Sequence, residues 1–259
     1  MRISYDGGAY HGFQYQPNAL SVQQVLTEAI SGVMGFPCSV TGCSRTDAGV
    51  HAIGFCAAVE PSGTERCGDG WCPVPTARVP AALNAVLPRD IAVTGAVECS
   101  DGFHPRYSVI SKEYMYLLCD GEYPDPFRRS YAYHLRRRLS DGDIARMNDA
   151  AQPLLGRHDF SAFMASGSSV KNTVRHLMRL EALRLDGNTV AVYARADGFL
   201  YNMVRILTGT LLDAAAGKIS PEDTAEILRL GDRSRAGSTA PAHGLYLLTV
   251  DYGEDIVFG

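Results

Sequence analysis

The chain has 259 residues, of which 46% are hydrophobic and 20% charged, enough apolar material for one large core or two smaller ones and too much for a disordered chain. Its 24 basic and 28 acidic side chains leave a net charge of −4, which excludes a protein coated in positive charge for indiscriminate nucleic-acid binding but allows a local basic face. Only Lys112, Lys171 and Lys218 are lysines; the arginines that make up the rest fork onto phosphate and stack on bases as ammonium cannot, although a GC-rich genome gives the same bias.

From Met1 onward there is no basic start followed by an apolar stretch, and no apolar run reaches the length of a bilayer crossing, so a cytoplasmic protein that does not enter a membrane is expected. Ser21 and Gln24 form a capping-box pattern that opens a helix through Val22, Val25, Leu26, Ala29, Ile30 and Val33, ended by Gly35. Cys38–Val40 and Ile53–Val59 read as strands on either side of a Gly-containing turn. The Gly-, Pro- and Cys-rich stretch from Pro61 to Pro80 reads as a long surface loop. Further strands are expected at Ile91–Val97 and Tyr114–Cys119, followed by a lobe boundary between Tyr123 and Ser140, where prolines and Arg128, Arg129, Arg136, Arg137 and Arg138 gather. That cluster suits a solvated face or an RNA contact.

A second helix is capped at Ser140 and Asp143 and runs to Gly156; a third spans about Leu200 to Ala216 before Gly217; Ser220-Pro221 opens a shorter one. Strands Val174–Leu185 and Thr189–Ala194 are separated by Asp186-Gly187, a tight-hairpin signal, and Leu245–Tyr252 makes the last strand. Adjacent hairpin strands imply antiparallel sheets, so the class is α+β.

Seven cysteines without a secretion signal fit reduced thiols. The four-residue gaps in Cys38/Cys43 and Cys67/Cys72 also allow a metal-binding protein, but core thiols are the commoner use and no metal is expected.

The stretch Arg45-Thr46-Asp47-Ala48-Gly49-Val50-His51-Ala52 sets one carboxylate two residues after an arginine, on the turn between two expected strands. On spacing alone a structural ion pair is the default for such an aspartate, with catalysis as the alternative. His51 has no ligand partners in this segment and reads as a hydrogen-bonded structural histidine. His104 and Arg106 read as residues that shape a site or touch phosphate.

Four further segments bear on Asp47: Tyr5-Asp6-Gly7-Gly8; Phe103-His104-Pro105-Arg106-Tyr107 leading into Lys112-Glu113-Tyr114-Met115-Tyr116; Gly198-Phe199-Leu200-Tyr201-Asn202-Met203-Val204-Arg205; and Gly244-Leu245-Tyr246-Leu247. Together with the Arg-Thr-Asp stretch, and in the same order, they resemble the tRNA pseudouridine synthase A family, over about Ser4 to Tyr252. Ser44 departs from the family's usual glycine, the first strand is short, and a Cys-rich insertion surrounds Gly68.

The resemblance implies a pseudouridine synthase fold of two ferredoxin-like lobes, 1–123 and 124–259, acting as one catalytic unit around a central cleft where Asp47, Tyr114 and Arg205 meet. It implies isomerisation of uridine in the tRNA anticodon stem-loop, near positions 38 to 40, after base flipping. Asp47 would be the nucleophile and Arg45 the residue that assists flipping. Tyr114 would stack on the base, Arg205 pair with the aspartate, and Leu245 line the base pocket. No cofactor is required, and the family works as a homodimer. A non-catalytic tRNA-binding or folding protein on the same scaffold is the rival reading.

Overall fold

The computed structural model describes residues 1–62, 72–167, 170–256 and 258. They gather into two compact units: Met1–Ile110 with Leu247–Gly259, and Ser111–Tyr246. In chain order the first unit contains β1 (Arg2–Tyr5), α1 (Val22–Met34), β2 (Cys38–Gly42), β3 (His51–Pro61), α2 (Val79–Asn84) and β4 (Ile91–Gly95). The second contains β5 (Ser111–Cys119), β6 (Tyr133–His134), α3 (Asp141–Ala151), β7 (Gly156–Asp159), β8 (Val174–Asp186), β9 (Thr189–Ala196), α4 (Met203–Ala215) and α5 (Pro221–Leu230). The last strand, β10 (Leu245–Asp251), starts in the second unit and from Leu247 belongs to the first.

In the first unit β1 lies antiparallel between β4 and β3, and β2 pairs antiparallel with β3 from Cys38↔Pro61 to Gly42↔Ala57. Helix α1 forms as the pattern required. The Ser21 hydroxyl accepts from the Gln24 N–H, Gly35 closes the helix, and Val22, Leu26, Ile30 and Met34 are buried one turn apart. Part of the expected 61–80 loop is helical. Pro80 sits in the first turn of α2, where its missing N–H costs nothing, and Val79 and Leu83 are buried. The Cys-rich part of that stretch, with Cys67 and Gly68, lies outside the described residues.

In the second unit β8 and β9 form the expected hairpin, but Asp186 pairs with Thr189, so Gly187 and Asn188 make the two-residue turn. Asp186 stays useful there: its carboxylate accepts from the Asn188 N–H at 2.9 Å. Strand β5 pairs antiparallel with β9 from Lys112↔Ala196 to Cys119↔Thr189, β7 edges β8, and β6 runs parallel to the end of β5. Helix α3, opened by the reciprocal Ser140/Asp143 capping box, packs on α4 and β8. The third predicted helix starts at Met203 rather than Leu200, because Asn202 has φ +60° and cannot continue a right-handed helix backwards. Each unit thus has largely antiparallel strands with its helices packed against them, which is the α+β class expected.

No helix among the described residues is long and apolar enough to cross a membrane.

Candidate active site

Asp47 lies on the loop between β2 and β3. The Cys43 N–H still donates to Cys56 O at 2.9 Å, so ladder pairing persists to the loop's first residue. At its far end the Val50 N–H donates to Asp47 O at 3.1 Å, closing a four-residue turn. Arg45 is exposed, Thr46 buried and Asp47 part-buried. Backbone alternation therefore sends Thr46 inward while its two neighbours stay accessible.

The chain's first loop, between β1 and α1, grips this turn. The Tyr5 and Thr46 hydroxyls share a hydrogen bond of 2.7 Å in the interior. The Phe13 N–H donates to Thr46 O at 3.1 Å, and the Gly49 N–H reaches Tyr10 O at 3.4 Å. Thr46, immediately before the carboxylate, is thus held at its hydroxyl and at its carbonyl. Two glycines make the approach possible. A Cβ at Gly12, whose φ is +89°, would lie 2.5 Å from Thr46 O, and one at Gly7 would lie 2.0 Å from Val50 O.

The loop is itself anchored: Phe13 stacks on Phe55 with ring centroids 4.2 Å apart, and the Tyr10 hydroxyl donates to Asp90 Oδ1 at 2.8 Å. Burial first, and then that carboxylate, push the Tyr10 phenol above its ordinary range. His51 is 2% exposed. Its Nδ1 has the Gly7 N–H at 3.1 Å and Asp6 Oδ1 at 3.0 Å, so it ties the first loop to the start of β3.

In the second unit Tyr114 and Tyr116 occupy the same face of β5 and are both buried. Their surroundings differ. Tyr114 meets Phe199 edge-on at 5.1 Å, whereas the Tyr116 hydroxyl donates to Pro241 O at 2.7 Å. Burial raises the Tyr116 phenol's pKa, with Arg205 opposing the rise.

Arg205 is in the first turn of α4. Its Nε donates to Ala240 O at 2.7 Å and its Nη1 to Asn202 Oδ1 at 2.6 Å. The Ala240 N–H in turn donates to Arg205 O at 3.1 Å. Gly244 packs its α-carbon on the Tyr116 ring, where a Cβ would stand 2.7 Å from Cζ, and Leu245 follows as a buried residue at the start of β10. The segment from Ala240 to Leu245 therefore touches α4 through Arg205 and β5 through Tyr116, while Tyr114 stands two residues away on the same face of β5.

Sequence reasoning did not assign Tyr5, Tyr10 or Gly12 any task toward Asp47. The signal was the alternation of tyrosines and glycines over Tyr5–Gly12, which is unusual ahead of a helix and typical where two backbones approach closely. Among the described residues no group of three or more His, Cys, Asp and Glu side chains could hold a metal.

A family model described as tRNA pseudouridine synthase matches residues 1–108 and 150–253. The tRNA pseudouridine synthase A of Thermoanaerobacter sp. (strain X514) is 42% identical over 250 residues, covering 96% of this chain and 97% of that protein. The protein of the same name from Bacillus subtilis (strain 168) is 43% identical over 253 residues, with coverage of 96% and 97%. The tRNA pseudouridine synthase A 2 of Clostridium perfringens (strain 13 / Type A) is 38% identical over 252 residues, with coverage of 97% and 98%. An α+β chain matched over this length is of the pseudouridine synthase class, whose members are isomerases. Within that class, the chain belongs to the tRNA pseudouridine synthase family.

Proposed function

We propose that the protein converts uridine to pseudouridine in the anticodon stem-loop of tRNA, near positions 38 to 40, with Asp47 as its nucleophile. The reaction is an isomerisation: the bond from uracil N1 to the ribose breaks, the base turns, and a bond from C5 to the same ribose carbon forms. The C5 proton leaves and N1 gains one, so no redox or group-transfer cofactor is needed. An ionised carboxylate serves by attacking the sugar's anomeric carbon or the uracil ring, or by stabilising positive charge on the sugar.

The observation that carries this reading is the fixing of Asp47's backbone through Thr46. A nucleophile must be held in place before the substrate arrives, and a residue clamped at hydroxyl and carbonyl cannot drift. Around it the family pattern assigns the other tasks. Arg45 is exposed and fills the gap left by the flipped nucleotide with a planar, cationic group. Tyr114 stacks on the base, Arg205 orients the carboxylate and keeps it ionised, and Leu245 presents an apolar wall.

The enzyme works in the cytoplasm as a homodimer, which lets a chain of net charge −4 assemble one arginine-lined groove for tRNA from two subunits.

The test is tritium release from tRNA labelled at uracil C5. Wild type releases label and Asp47→Asn releases none while still binding tRNA. Equal release by both removes Asp47 from the chemistry; binding without release by wild type makes the protein a tRNA-binding module.

A further inference from the structure

The turn from Phe103 to Ser108, in the first unit, has a backbone fixed from several sides. His104 Nδ1 accepts from the N–H groups of Arg106 and Tyr107 at 3.1 and 3.3 Å, and the His104 N–H donates to Ser108 Oγ at 3.1 Å. The N–H groups of Tyr107 and Ser108 also reach His104 O, at 3.1 and 2.9 Å. Beneath the turn the Tyr252 hydroxyl donates to Pro105 O at 2.6 Å, and its ring meets Phe103 edge-on at 5.0 Å.

Two side chains on this rigid turn are not consumed by the fold. Tyr107 is 78% exposed, and its ring lies on the His104 imidazole with centroids 4.3 Å apart and planes 28° from parallel. One face is therefore backed by an aromatic ring. Arg106 is part-buried, and its buried Nε has no acceptor among the described residues. A buried donor left unmet is costly, and an incoming acceptor such as a ligand oxygen can complete it.

We infer that this turn is an RNA contact additional to the residues that handle the target uridine: Arg106 takes a backbone phosphate and Tyr107 stacks on an unpaired base. The pairing of chemistries selects the ligand class. Single-stranded RNA alternates planar bases with anionic phosphates, and adjacent residues that offer a backed aromatic ring and a guanidinium fork match one nucleotide unit. A folded protein partner has no reason to present that alternation. The His104 ring contributes by stiffening the platform, so the stack is not assembled anew for each RNA. The inference rests on the proposed tRNA substrate, whose loops supply unpaired nucleotides.

The experiment compares full-length wild type, Arg106→Gln and Tyr107→Ala. It measures equilibrium binding to a tRNA transcript across a series of KCl concentrations, and single-turnover pseudouridine formation at saturating enzyme. Tyr107→Ala weakens binding about fivefold or more. Arg106→Gln weakens it and reduces the slope of log affinity against log salt by about 1. Saturated single-turnover rates stay within about twofold of wild type. Because Tyr107 is exposed, its variant decides the matter should Arg106→Gln melt early. Wild-type affinity in both variants overturns the inference, as does an affinity loss that follows loss of the dimer in sedimentation, which would assign the turn to a second copy of the chain. A wild type that binds tRNA through these residues but makes no pseudouridine refutes only the proposed reaction; a wild type that binds no tRNA refutes both.

Discussion

The hydroxyls of Tyr5 and Thr46, 41 residues apart, meet at 2.7 Å in the interior of the first unit, one residue before the carboxylate proposed as nucleophile. Tyr5→Phe leaves the Thr46 hydroxyl buried and deprived of this partner, at about 1–3 kcal/mol. The expected result is a lower melting temperature together with a fall in kcat that exceeds any change in KM for tRNA. Adding Thr46→Val removes the orphaned hydroxyl and restores much of the stability. If kcat recovers in step with the melting temperature, the bond is structural only; if kcat stays low, it positions Asp47.

The close approach of the first loop to the Asp47 turn makes Gly12 intolerant of any side chain. Gly12→Ala puts a methyl group 2.5 Å from Thr46 O in a backbone region that disfavours L residues. A loss of about 2 kcal/mol or more is expected, with activity falling beyond the unfolded fraction. Gly32, inside α1, is the control. A Cβ there meets nothing within 4 Å, so Gly32→Ala raises stability by about 0.5–1 kcal/mol and leaves activity unchanged. Thermal melts and tritium release on both variants check the pair; a stable and fully active Gly12→Ala would refute the clamp.

These two positions also mark what could be read in the chain before the structure. The starts of helices α1, α3 and α5 were legible from the caps at Ser21, Ser140/Asp143 and Ser220-Pro221, and the end of α1 from Gly35; α3 instead stops at Ala151, short of the expected Gly156, which opens β7. Strand β7 was not, since Gly-Arg-His-Asp carries no apolar alternation and is a strand only through its pairing with β8. Helix α2 was hidden by the prolines before it. At the candidate site, Asp47 and Arg45 stood out through local context, and Tyr114, Arg205 and Leu245 only through family pattern. The Tyr5–Thr46 bond and the Gly12 approach are long-range, and no local rule of spacing reports a contact across that much chain.

Asp120 and Arg184 give a stability prediction with a defined pH dependence. Asp120 is fully buried; its Oδ1 accepts from Arg184 at 2.8 Å and its Oδ2 from the Leu139 N–H at 2.9 Å. Burial alone would raise the carboxyl's pKa, but the Arg184 and Leu139 hydrogen bonds outweigh it and hold the group below its ordinary value of 3.8. The stabilisation is therefore complete above that value and is lost as the pH falls through the lower folded one. Asp120→Asn, which takes the charge partner from Arg184 and leaves it the bond to Leu139 O, costs about 3 kcal/mol at pH 7. The gap in melting temperature between wild type and variant closes as the pH drops below about 4. A gap unchanged between pH 7 and pH 3 would exclude the ion pair as its source.

Arg205 is expected to tolerate no substitution, lysine included. Its Nε and Nη1 serve two acceptors at once, Ala240 O and Asn202 Oδ1, and the planar fork fixes the direction of the rest of the guanidinium. An ammonium cannot reproduce that geometry. Arg205→Lys should lower kcat by about a hundredfold or more, as removal of a fixed electrostatic group does, and leave tRNA affinity within about threefold. Asn202 separates orientation from mere stability. Its φ of +60° suits glycine better than asparagine, so Asn202→Gly relieves about 1 kcal/mol of backbone strain while deleting the Arg205 partner. The two effects nearly cancel in the melting temperature, yet kcat falls because Arg205 loses its Asn202 anchor. A variant that melts as wild type and turns over more slowly places Asn202 among the positioning residues. One that melts and turns over as wild type shows that the guanidinium is aimed without the Asn202 bond.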